Sequence, residues 1–133
     1  MATLAHHFQE GGSAMYGILC CALFGNPVAF AALIVALVGK RRPAVIGTGA
    51  ASLVFGVLTM GLGVAGYLYG MSVVDSVIPL VDVESRDMIY ERGREESMNN
   101  IYFGVIAALF PLAIGGLAIL RGVMLPARDP QAA

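Results

Sequence analysis

Charge is the scarcest commodity in this sequence. Only 13% of its 133 residues are Asp, Glu, Lys or Arg, where soluble domains carry about a quarter. The shortage is also uneven: residues 15–39, 44–74 and 101–120 contain no Asp, Glu, Lys, Arg or His. Ionisable side chains inside a membrane are the usual mark of a proton relay, so this chain alone cannot run a carboxylate relay across a bilayer. Cysteine is confined to Cys20 and Cys21. Neighbouring residues cannot staple a fold, and two thiols fall short of a zinc or iron–sulfur ligand set; both read as small buried apolar side chains. The only histidines are His6 and His7, which with Glu10 would make a poor metal site and read as polar residues at a membrane surface. No basic face or tail exists, which excludes nucleic acid as a partner. No nucleophile–base pair, phosphate-cradling glycine loop or metal-ligand cluster can be assembled. The expectation is therefore a protein that is not an enzyme and carries no cofactor or metal.

What the sequence does have is apolar length. Apolar residues make up 58% of it, and the mean hydropathy is +0.79. A single domain is expected at this size. The N-terminus lacks the basic start, short apolar run and polar cleavage region of a signal peptide. Each uncharged run reaches the roughly 20 residues that a helix needs to cross the hydrocarbon core. The pattern predicts an all-α membrane protein with three transmembrane helices, at about 15–39, 44–74 and 101–121. Lys40, Arg41, Arg42 and Pro43 break the first from the second, and Arg121 closes the third. The second is long enough that it must tilt or project beyond the membrane.

Orientation follows from the bases. The first loop holds Lys40, Arg41 and Arg42 with no acid, and the tail holds Arg121 and Arg128 against Asp129. The segment 75–100 carries seven acids (Asp75, Asp82, Glu84, Asp87, Glu91, Glu95, Glu96) against three bases, Arg86, Arg92 and Arg94. Basic residues mark the cytoplasmic side, which places the N-terminus and the acidic segment outside and the C-terminus inside. From Glu84 onward the segment reads as the third helix extending beyond the membrane, with Arg92 paired to Glu96 at i,i+4; a solvated loop is the alternative. Residues 125–133 read as a short frayed tail.

Helical geometry supplies the more specific signal. At roughly 100° per residue, Thr48, Ser52, Gly56, Thr59, Gly63, Gly66 and Gly70 fall within about 80° of one face of the second span. In the third, Ser97, Asn100, Gly104, Ala108, Pro111, Gly115, Ala118 and Gly122 do the same over about 80°. Small residues at such spacing let helices approach closely in lipid, where packing rather than the hydrophobic effect drives association. Two readings are open: packing of the second span on the third within the chain, or a subunit interface or narrow polar pore lined by Thr48, Ser52 and Thr59. Near the middle of the first span, Asn26 and Pro27 predict a kink, since proline removes a backbone donor and frees the carbonyl near Leu23. Asn26 could satisfy that carbonyl or bond to another helix, and Pro111 should bend the third span in the same way.

These residues carry a resemblance. Glu10-Gly11-Gly12-Ser13-Ala14-Met15-Tyr16-Gly17-Ile18-Leu19 resembles the glycine-pair, methionine, proline-or-glycine start of the MotA/TolQ/ExbB proton-channel family. Arg92-Gly93-Arg94-Glu95-Glu96-Ser97-Met98, followed by Gly104 and Pro111, is similar to that family's entry into its last span. The topology is also the TolQ and ExbB arrangement. The chain is short of the family pattern in lacking the large cytoplasmic domain, of which only residues 40–43 would remain. The family's last-span threonine would fall on Ile101 or Tyr102. The resemblance implies a multi-pass protein of the cytoplasmic (inner) membrane, assembled as a pentamer around single-span partners. Those partners would supply the proton-carrying aspartate, and the complex would convert proton flow into mechanical work. The alternative is a non-transporting membrane scaffold or accessory subunit of a larger assembly, with the small-residue faces as packing surfaces and the acidic extension as a docking site.

Overall fold

A computed structural model of the chain describes residues 12–126. His6, His7, Glu10, Gly11, Arg128 and Asp129 lie outside the described residues, as does most of the tail. The described chain is helical, without strands: α1 (Gly12–Val38), α2 (Arg42–Val77), a single 3-10 turn (Ile78–Leu80) and α3 (Val83–Met124). All three helices are long and apolar enough to cross a membrane.

Local sequence explains the boundaries. Gly12 opens α1 at φ +65°, a left-handed conformation that a side chain would strain. Pro43 sits in the first turn of α2, where its missing N–H costs nothing. Arg42 and Pro43 thus start α2, and residues 39–41 separate it from α1. At the other end of α2, Pro79 biases Ile78 away from the α conformation, and the α-helix gives way to the 3-10 turn there. Asp75 therefore belongs to α2, and only residues 78–82 connect it to α3. From Val83 the third helix is continuous through the acidic stretch into the apolar one, 42 residues in all. At 1.5 Å per residue that is roughly 63 Å, about twice the thickness of a hydrocarbon core. Pro27 and Pro111 both lie inside unbroken helices.

The helices form two units, and each helix contributes to both. The first comprises residues 12–21 and 58–107, the second residues 22–57 and 108–126. In the second unit, α1 presents Gly25, Ala29, Ala32 and Ala36, all buried. Ala36 meets Val45 and Ala118 in a small apolar cluster flanked by Val35 and Leu125. Arg121 donates from Nη2 to the carbonyl of Leu37 at 3.0 Å, tying the end of α3 to the end of α1. Every charged residue described in this unit is basic: Lys40, Arg41, Arg42 and Arg121. In the first unit, Met15 and Ile18 of α1 are buried, together with Thr59, Ser97 and Asn100. All seven acids of the segment 75–100 lie in this unit.

Burial is inverted relative to a water-soluble domain. The interior of both units is mostly Ala, Gly, Ser, Thr and Asn, while large apolar side chains point outward. Phe24 is 67% exposed, Leu117 62%, Ile106 66% and Leu68 61%. Water would penalise so much exposed apolar surface, whereas hydrocarbon solvates it and leaves small-residue packing to hold the helices together. The fold is that of a membrane-embedded protein.

Candidate functional site: the small-residue and hydroxyl faces of α2 and α3

The polar and small residues of the two faces meet, each within its own unit. In the second unit Ser52, fully buried, donates from Oγ to the backbone carbonyl of Pro111 at 2.8 Å. The hydroxyl is thereby spent on helix packing, in a bond worth about 0.6 kcal/mol on average between membrane helices. Pro111 is itself fully buried and Ala108, one turn earlier, is at 0% exposure. Thr48, half-buried, turns its hydroxyl back onto its own helix, 3.0 Å from the Ala44 carbonyl and 3.2 Å from that of Val45. Such back-bonding satisfies a hydroxyl in lipid without any partner helix. A Cβ added to Gly56 would lie 2.6 Å from Leu112 Cγ, and one added to Gly115 would lie 2.8 Å from the carbonyl oxygen of Gly49. Gly49, just outside the arc of small residues, is thus a packing residue that the helical-wheel argument leaves out; its own added Cβ would meet the Gly115 carbonyl at 3.0 Å.

In the first unit the closest approach is backbone on backbone. A Cβ on Gly63 would stand 2.7 Å from the Asn100 carbonyl oxygen and 3.1 Å from Gly104 Cα; one on Gly104 would stand 2.9 Å from Gly63 Cα. Gly66 faces the Asn100 side chain and Ala14, Gly70 faces Ser97, and Gly93 faces Val74. Thr59 is fully buried in this unit, and its carbonyl oxygen would be 3.3 Å from a Cβ on Gly104. Asn100, 3% exposed, keeps its Oδ1 buried without a hydrogen-bond partner among the described residues, on the wall of a cavity of about 240 Å³ that Ser13, Gly66, Gly70 and Ser97 also line.

Three glycines of α2 and α3 meet nothing. Gly47, Gly61 and Gly116 have no atom within 4 Å of an added Cβ. They lie off the faces defined by Thr48 and Gly104, so inward and outward glycines alternate with the helical period.

Asn26 and Pro27 are both exposed on α1. The Asn26 amide makes no hydrogen bond to another described residue, the Leu23 carbonyl included. At the start of α3, Glu84, Asp87, Glu91 and Glu95 line a broad open groove of about 750 Å³. Arg92 donates from Nε to Glu96 Oε1 at 3.1 Å, the i,i+4 pair that the spacing predicts. Among the described residues no group of His, Cys, Asp and Glu could hold a metal ion.

Comparison with known proteins gives no match, either to a family model, to a curated protein or to a solved structure.

Proposed function

We propose that the chain is a multi-pass subunit of the inner membrane that builds the helical wall of a proton-driven energy-transducing complex, with its N-terminus outside and its C-terminus in the cytoplasm. A single-span partner supplies the proton-carrying aspartate, and several copies of this chain, five in the arrangement that the MotA/TolQ/ExbB resemblance implies, surround it. The observation that carries the reading is the pairing of two features in α2 and α3. Neither apolar run has an Asp, Glu, Lys, Arg or His, yet α2 buries the hydroxyls of Ser52 and Thr59 inside its run, and α3 buries the amide of Asn100 at the outer edge of its own. A wall of that kind carries no protons by itself, and the Asn100 Oδ1 at its cavity is the acceptor it offers to a carboxylic acid brought by another chain.

A second reading has its own support. Ser52 is committed to Pro111 and Thr48 to its own backbone, which leaves those hydroxyls serving packing, as in a non-transporting scaffold whose acidic groove on α3 docks another subunit. Native mass spectrometry of the complex extracted from its own membranes separates the two. The motor reading expects several copies of this chain together with a single-span chain that has an aspartate in its span. One copy beside multi-span subunits, with no such chain, would contradict it and favour the scaffold.

A further inference from the structure

The outward face of α1 in the second unit carries a seam with a polar centre. Leu23, Asn26, Phe30, Leu33 and Leu37 alternate spacings of three and four residues and fall within about 80° of arc at roughly 100° per residue. Leu23, Phe30 and Leu37 are 62%, 58% and 62% exposed, and Leu33 is half-buried. This face is separate from the one that α1 uses inside its own chain, where Gly25, Ala29, Ala32 and Ala36 are buried. Alternating three–four spacing is the pattern by which two helices interlock side by side.

Asn26 lies at the middle of α1, where hydrocarbon surrounds an exposed residue, and its amide has no partner among the described residues. One turn earlier, the Leu23 carbonyl has lost its intrahelical donor, because residue 27 is proline and has no N–H. An amide with two donors and an acceptor thus sits beside an orphaned carbonyl on a lipid-facing surface. Lipid satisfies neither. We propose that this seam is an interface with a second copy of the same chain, paired about a two-fold axis along the membrane normal, with Asn26 of each copy set against Asn26 and the Leu23 carbonyl of the other. A second copy is the occupant the chemistry selects, because it brings a donor and an acceptor to the same depth and needs the same two in return. A polar residue at one core position of such a seam fixes register and subunit number. The contact is self-complementary and hence distinct from any ring contact, which is head-to-tail. It rests on the membrane reading given above but on no assumption about proton transport.

The test uses the full chain, expressed without other subunits and with Cys20 and Cys21 replaced by alanine. Self-association in bilayers is followed by energy transfer between labelled copies. Asn26→Leu should weaken it roughly tenfold, and Asn26→Gln, which keeps the amide, should restore most of it. With an added oxidant, Leu23→Cys in the seam should cross-link between copies. Phe24→Cys, at the same depth and 67% exposed but on another face, should not. A monomeric parent chain, an Asn26→Leu variant as associated as its parent, or equal cross-linking at both positions would overturn the interface. Resistance of each variant to alkaline carbonate extraction is measured in parallel; release of the parent chain from the membrane would overturn the membrane reading and this inference with it.

Discussion

Replacing Gly63 with leucine should abolish the folded state of the first unit, and alanine should already be costly. The added Cβ would stand 2.7 Å from the Asn100 carbonyl oxygen and 3.1 Å from Gly104 Cα, and both are backbone atoms that no rotamer change can clear. Overpacking of this kind costs about 1–3 kcal/mol where side chains can adjust. A backbone–backbone contact leaves the helices only the choice of moving apart, which also loosens Gly66 from Asn100. Opposing this is the gain from replacing glycine in a helix, about 0.5–1 kcal/mol. The clash wins. Gly61 is the matched control, two residues away on the same helix with nothing within 4 Å of an added Cβ. Gly61→Ala should be neutral or stabilising by up to about 1 kcal/mol. Thermal or denaturant unfolding in a lipid-like detergent reads both. Equal stability of Gly63→Ala and the unmodified chain would remove the packing account of the α2–α3 contact in this unit.

The second large effect is functional. If the chain forms the wall of a proton pathway, Thr59→Val should abolish proton-dependent work while leaving assembly intact. Valine keeps the shape of threonine and removes the hydroxyl, and Thr59 is fully buried, so the substitution leaves no hole. The loss of a hydroxyl between membrane helices costs about 0.6 kcal/mol on average, too little to disperse a complex. The measurement is proton-dependent activity in cells, alongside the amount and size of the purified complex. Full activity with Thr59→Val would leave the scaffold reading standing. A complex that falls apart would show that the hydroxyl serves packing instead.

Much of the fold is legible in the sequence because lipid imposes simple rules. Uncharged runs of sufficient length, broken by bases and proline, mark three helices, and the 3.6-residue period separates Gly63 and Gly104, which face a neighbouring helix, from Gly61 and Gly116, which face outward. Helix ends are less legible. Nothing at Val74 stops α2, since Asp75 is as helical as its neighbours, and the chain turns only where Pro79 prevents continuation. The acidic start of α3 is a helix because Gly93 is a single weak point, and Val74 of α2 packs against it. Other details follow from three-dimensional register that composition cannot supply. Gly49 becomes a contact residue because Gly115 crosses it, and the sequence does not say which way Asn26 points, which α1 turns outward. Function is the least legible, because packing and a polar pathway call for the same small and hydroxyl residues.

How the chain sits in the membrane is tested most directly by labelling in intact cells. In a background lacking Cys20 and Cys21, a cysteine is placed either at Asp87, in the acidic start of α3, or at Arg42, in the basic first turn of α2. Segregation of the bases predicts that an impermeant thiol reagent added outside modifies the cysteine at 87 and spares that at 42 until the cells are permeabilised. The reverse pattern would contradict the orientation, and equal labelling of both in intact cells would contradict the three-span arrangement itself.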